Sequence, residues 1–229
     1  MKNLIFLHGA LGHSNNFEPY ETALSKGFNV HKILFHGHGG TPIPAEGLSI
    51  ELYVSQLTKY IEDNKLSDIH IFGYSMGGYV ALLYASKNQG KVASILTLAV
   101  KHDWDAEAVL RETNTLNPEL LEARAPKYTA QLITQHKEHN WKQLLISIAG
   151  LMRQLAEKPL LNKAEYESLN IPVQIMVGDR DTMVTIEETL EAVRSIPRAN
   201  IAVIPNAKHA IDTVKPDVLI SLMKDFWKL

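Results

Sequence analysis

The segment "GYSMGG" at residues 73–78 sets one serine among glycines and fits G-x-S-x-G, a turn that can project a nucleophilic hydroxyl. The glycine spacing has a steric reason, because a side chain at either flank would collide with the neighbouring strand or helix. A packing turn rich in glycine can show the same letters, so context decides between the two. "DIHIF" before it is a short apolar run that reads as a strand. "YVALLYASKNQG" after it carries apolar residues at helical spacing and closes on Gly90. Ser75 is therefore expected on a tight strand-to-helix turn. A serine hydroxyl needs a base, and the base needs an orienting acid. "NAKHAID" supplies His209 just beyond the last strand pattern, and "MVGDRDTMV" offers Asp179 and Asp181 after the preceding one. Turn aspartates also serve as caps and Asx turns, so residue type alone leaves both acids open. At the other end of the chain, "LIFLHGALG" runs a strand into a small loop. Its Ala10 N–H and the Met76 N–H would together make a two-donor oxyanion hole.

These residues need a scaffold that gathers strand ends. Short apolar runs at 4–7, 30–35, 69–72, 92–98, 173–177 and 201–204 predict strands. Helical patterns fall between or after them near 16–26, 49–64, 76–88, 185–195 and 215–228, with Ser49 as a helix cap. Strands alternating with helices imply an α/β protein with a mostly parallel sheet and helices on both faces. In such sheets the working residues collect at the carboxyl ends of the strands. Residues 101–170 break the rhythm with helical patterns and no strand. "NPELLEARAPKYTAQLITQH" opens on Asn117 as cap and Pro118 at the first helical position. In "WKQLLISIAGLMRQLAEK", Trp141, Leu144, Leu145, Ile148, Leu151, Met152 and Leu155 form one broad stripe. The division expected is a core of residues 1–100 and 171–229, with a helical lid at 101–170; a mere thickening of the helical layer is the plainer alternative.

Composition bounds the function classes. The chain has 229 residues, enough for one sizeable α/β domain, and a formal charge of −2 with no run of five like charges. Neither nucleic acid nor an anionic membrane surface is an expected partner. With no cysteine there is no disulfide, thiolate metal site or cysteine nucleophile. No segment approaches a membrane span or a secretory h-region, so a cytoplasmic protein is expected. His8, His13, His36 and His38 raise the question of a metal, but no acid stands at ligand spacing and "HGHG" reads as a tight loop; no metal or cofactor is expected.

Taken in order, "HGALG", "FHGHGG", "GYSMGG", "GDRD" and "NAKH" resemble the motif series of the α/β-hydrolase superfamily, of the lidded esterase and C–C hydrolase type. The resemblance covers the chain outside 101–170. It implies Ser75 as nucleophile, His209 as base, Asp181 rather than Asp179 as acid, and Ala10 and Met76 as oxyanion donors. Asp103 is a further carboxylate at a strand end from which related hydrolases can supply the acid. The superfamily usually begins with a β-hairpin, for which there is no room before "LIFLHG", so a sheet of about six strands is expected. The loop after its second strand often carries an Asp that this chain lacks, and His38 is expected to buttress that loop.

The expected activity is serine hydrolysis of a small-to-medium ester or thioester. C–C bond hydrolysis or lyase-like chemistry on the same triad is the alternative, and a non-catalytic small-molecule receptor a third reading. An imidazole base must be neutral, so turnover is expected to decline as pH falls through roughly 6 to 7. His102 and Trp104, after the strand beside the elbow strand, and Trp141, Ile148 and Met152 on the stripe are expected to form an apolar roof over Ser75. The competing expectation is a polar pocket in which Arg111, Arg124 or Arg153 binds a substrate carboxylate.

Overall fold

Side chains along β1 (Lys2–Leu7) show how the layers form. Leu4 and Phe6 belong to one core cluster, Ile5 and Leu7 to another, and all four are fully buried. A strand buried on both faces reads as a continuous apolar run, and its helices must cover both sides. The computed structural model describes residues 2–229. After β1 come a 3-10 turn (Ser14–Phe17), α1 (Glu18–Leu24), β2 (Phe28–Ile33), α2 (Ile50–Asp63), β3 (Ile69–Tyr74), α3 (Met76–Lys87) and β4 (Val92–Leu98). Five helices follow: α4 (Ala106–Asn114), α5 (Pro118–Arg124), α6 (Pro126–His136), α7 (Trp141–Glu157) and α8 (Lys163–Glu167). The chain then returns through β5 (Val173–Gly178), α9 (Ile186–Ser195), β6 (Ala199–Ile204), a second 3-10 turn (Ile211–Thr213) and α10 (Pro216–Trp227).

The six strands form one all-parallel sheet in the order β2-β1-β3-β4-β5-β6. Buried residues of α2, α3 and α9 pack with Ile5, Leu7, Ile71 and Ile95 on one face. Those of α1 and α10 pack with Leu4, Phe6, Phe72 and Leu96 on the other. The chain steps outward from β1 to β2, then returns past β1 to β3 and runs to β6. Its direction therefore reverses between β1 and β3, where the carboxyl ends of an open parallel sheet leave a crevice.

Two departures from the sequence pattern have a clear local cause. β2 ends at Ile33 rather than 35, because the Phe35 N–H is taken by the His8 ring instead of a neighbouring strand. The helical pattern after Asn117 divides at Pro126, which lacks an N–H and disfavours helical geometry at the residue before it. Ala125 accordingly sits at φ −138° and ψ 58°, and Pro126 opens α6. The caps fall where expected, with Ser49 accepting from Leu52 N–H at 3.1 Å and Asn117 from Leu120 N–H at 2.9 Å.

Candidate active site

Ser75 lies between β3 and α3 with φ 50° and ψ −118°, outside the regions an ordinary L-residue prefers. The Ser75 N–H is held by Leu98 O at 2.8 Å, which ties the turn to β4. The glycines make the approach possible. A Cβ on Gly73 would run into the Gly78 backbone, and one on Gly77 into the Leu7 carbonyl. The hydroxyl makes no capping bond to α3 and is left to face outward.

It faces His209. Ser75 Oγ is 3.1 Å from His209 Nε2, and His209 Nδ1 is 2.9 Å from Asp181 Oδ2. The Asp181 side chain is fully buried. Its other oxygen accepts from Met183 N–H at 2.8 Å and Val184 N–H at 2.9 Å, so its own turn fixes the carboxylate. Burial alone would raise this carboxyl; the hydrogen bond and charge of His209 and the two backbone donors outweigh burial and hold it below its ordinary value. Asp179 lies beside Arg180 instead, 3.7 Å from Nε, and the Asp103 backbone N–H leans toward Glu188. Tyr74 adds a support that sequence reasoning missed: its hydroxyl donates to the His209 carbonyl at 3.1 Å. A hydroxyl, an imidazole and a buried carboxylate in this series can move a proton from the serine to the imidazole while the carboxylate fixes the ring's tautomer.

The loop after β1 is held by three neutral histidines. The Gly9 carbonyl accepts from His8 Nδ1 at 2.8 Å and from Gly12 N–H at 3.0 Å. A trans peptide directs its N–H opposite to its carbonyl, so the Ala10 N–H points away from that anchor. Met76 N–H stands in the first turn of α3, where helical N–H groups lack intrahelical acceptors. His8 Nε2 accepts from Phe35 N–H, His38 Nε2 from Leu11 N–H, and His136 Nδ1 from Gly39 N–H. The second nitrogens donate: His38 Nδ1 to His36 O, and His136 Nε2 to Leu11 O. Each ring therefore needs one donor and one acceptor, which only the neutral form provides. Burial pushes His8 down to about 3, His38 well below the ordinary imidazole value, and His136 below it. Through His36 O, His38 braces its own loop after β2, and through Leu11 N–H it ties that loop to the one after β1. His136, on α6, had no signal in the sequence beyond its type. With their ring nitrogens committed to backbone groups these histidines are not metal ligands, and among the described residues no three His, Asp or Glu side chains gather as a metal site.

Ser75, Met76 and Ala10 open onto a cavity of about 30 Å³. Its walls include Trp104, Met183 and four α7 side chains, Ile148, Leu151, Met152 and Leu155. Two residues expected in the roof lie elsewhere. Trp141 is directed by the helical turn toward Leu132 and Leu145, in a separate cluster. The His102 ring turns to the Tyr166 hydroxyl at 2.8 Å. Nor do the arginines reach the cavity: Arg124 and Arg153 line a separate surface hollow, and Arg111 pairs with Glu112. Among the described residues, Lys101 is the cationic one on the cavity wall, and its ammonium is 2.7 Å from Glu188. Glu188 also accepts from the N–H groups of His102 and Thr185, so it ties α9 to the end of β4. A second serine–histidine contact, Ser94 Oγ to His70 Nδ1 at 2.7 Å, lies in the amino-terminal half of β3 and β4. Ser94 is buried there and also accepts from Trp227 Nε1, a packing arrangement far from the carboxyl ends of the strands.

An all-parallel sheet with a serine on a strained strand-to-helix turn at its reversal point defines an α/β hydrolase. The model of the Hydrolase_4 family, described as serine aminopeptidase S33, matches residues 1–213, and the chain belongs to that family. It is a serine hydrolase of the α/β-hydrolase superfamily. Among curated proteins it is similar to monoacylglycerol lipase ABHD6 of Bos taurus, 22% identical over 98% of this chain and 74% of the relative. It is similar to the same degree, 22%, to 2-(acetamidomethylene)succinate hydrolase of Mesorhizobium japonicum, over 97% of this chain and 87% of that one. Among solved structures, NosK from Streptomyces actuosus superposes with a TM-score of 0.83 at 21% identity, over 99% of this chain and 97% of NosK. At that identity the likeness speaks for the fold. Among the described residues no helix is long and apolar enough to cross a membrane.

Proposed function

We propose that the protein hydrolyses a small-to-medium carboxylic ester or thioester through Ser75, His209 and Asp181, with Ala10 and Met76 as oxyanion donors. The observation that carries this reading is the unbroken series from Ser75 Oγ through His209 to the buried Asp181, at 3.1 and 2.9 Å. Ser75 Oγ attacks the carbonyl carbon and its proton passes to His209 Nε2. The carbonyl oxygen becomes an oxyanion between the N–H groups of Ala10 and Met76. The bond to the leaving oxygen or sulfur then breaks, and His209 Nε2 returns the proton to that atom. Water repeats the sequence on the acyl-serine: its proton goes to His209, its oxygen forms the acid, and Ser75 Oγ recovers a proton as it leaves. Residues 101–170 act as a lid on a core of residues 1–100 and 171–229, with α7 over the serine. A monoacylglycerol lipase among the relatives is in keeping with ester cleavage.

Ser75→Ala tests the assignment. Turnover of an ester and labelling by a fluorophosphonate should both vanish, with a loss on the order of 10⁶ in kcat, while circular dichroism stays unchanged. Full labelling of the variant would sink the role given to Ser75.

A further inference from the structure

We infer that the substrate is an ester of a short apolar acid with a larger, hydroxyl-bearing alcohol. The inference rests on the serine-hydrolase reading above and names which half of the substrate lies on which side of Ser75. Ala10 borders two spaces of different kind. One is the cavity of about 30 Å³ against Ser75 and Met76. A space of that size takes a few heavy atoms and no long chain. Its walls are stiff as well as close. Ile148 and Leu155 are buried at 0% and 3% exposure, and α7, which carries them, is fastened at its start by Asn140 Nδ2 donating to Gly37 O at 2.7 Å. The Tyr79 hydroxyl accepts from both Leu160 and Leu161 N–H just beyond its end, at 3.1 and 2.9 Å. The Lys101 ammonium on the wall is already neutralised by Glu188. This space suits an uncharged acyl chain of two to four carbons and little more.

The second space is an open cleft of about 640 Å³ on the far side of Ala10. Tyr74, Tyr128, Gln131, Ala210 and Asp212 are among its walls. Tyr74 and Ala210 flank the base, the first by its bond to the His209 carbonyl and the second as the next residue. The group that His209 must protonate as it departs therefore belongs on this side. Phenol, amide and carboxylate groups along the cleft can exchange hydrogen bonds with alcohol hydroxyls, which an alkyl chain would leave unmet.

The test has three arms on the intact protein. Fluorophosphonate labelling of the wild type reports on the serine itself. Its absence, with no ester turned over, overturns the serine-hydrolase reading and this inference with it. The second arm measures kcat/KM for p-nitrophenyl esters from acetyl to octanoyl. The expected profile rises about fourfold per methylene up to butanoyl. It then falls by roughly tenfold or more at hexanoyl, as extra methylenes are forced into a filled space. Ile148→Ala should move the optimum to a longer chain; Ile148→Val, a milder change to the core, should flatten the fall at hexanoyl. A labelled, active enzyme whose kcat/KM climbs through octanoyl would overturn the acyl assignment alone. The third arm holds the acyl group at butanoyl and compares its glucose monoester with its hexyl ester. The glucose ester should be preferred by about fivefold or more, and Gln131→Ala should shrink the ratio. Equal rates, or a preference for the hexyl ester, would overturn the alcohol assignment.

Discussion

Asp181 shows what a single residue contributes and how far it can be read. Two turn aspartates stand two positions apart, and composition gives no reason to prefer either; the motif series points to Asp181. What separates them physically is the direction of the turn. Asp181 spends one oxygen on the N–H groups of Met183 and Val184 and has the other free for His209, whereas Asp179 lies beside Arg180. Asp181→Asn would keep the turn and the packing but invite the wrong imidazole tautomer, with Nε2 protonated toward the serine. We expect kcat to fall on the order of 10⁴ with thermal stability little changed, measured by steady-state kinetics and a melting curve on the same preparation. A loss under about tenfold would mean that the carboxylate does not orient the base. Lys101 is the opposite case, a cavity-wall residue that no motif marks. Its place depends on Glu188, far along the chain, and such pairings across helices leave no local pattern.

At the scale of elements the sheet was legible because a strand buried on both faces must be apolar throughout, and a helix such as α2 announces itself by a stripe and a cap. The stripe on α7 was legible too, but its division was not. Ile148, Leu151, Met152 and Leu155 face the serine, while Trp141 and Leu145 turn toward Leu132. Periodicity says that a face is buried, not which neighbour buries it. The bond that fixes α6 was invisible for the same reason. His136 grips Leu11 O and Gly39 N–H, from two loops distant in sequence. In His136→Ala the Gly39 N–H loses its acceptor and Leu11 O keeps only Gln135. The unmet group should cost about 1–3 kcal/mol in stability, read from denaturant midpoints. Because Leu11 adjoins Ala10, kcat should fall while KM changes little. A variant as stable and as active as the parent would show that the α6 contact is idle.

For the whole molecule the buried histidines set a response to acid. His8, His38 and His136 are each fully buried, and each is held below its ordinary value by burial. The unfolded chain takes up protons at these positions below about pH 6.5. The folded chain does not, down to about 3 for His8. More protons on the unfolded state means that stability falls as pH drops through this window, by up to about 1.4 kcal/mol per pH unit for each group. Asp181 works lower, since a depressed carboxyl contributes its stability above the ordinary value of 3.8 and loses it only below. Urea midpoints should therefore decline between pH 6.5 and 4.5 with the urea m-value unchanged. Stability that is flat from pH 7 to 5 would contradict neutral burial of the three rings.

The strand order has one more consequence. Ser75 and Ala10 hang from β3 and β1, which have neighbours on both sides, whereas His209 follows β6, the strand at the sheet's margin. Local opening costs least at termini, loops and weakly held elements and most in core strands, so an edge strand is a natural place for it to begin. Partial opening at the β6 margin would thus part His209 from Ser75 while the interior strands remain paired. Loss of the Ser75–His209 contact should then come earlier than global unfolding, as a matter of disassembly order.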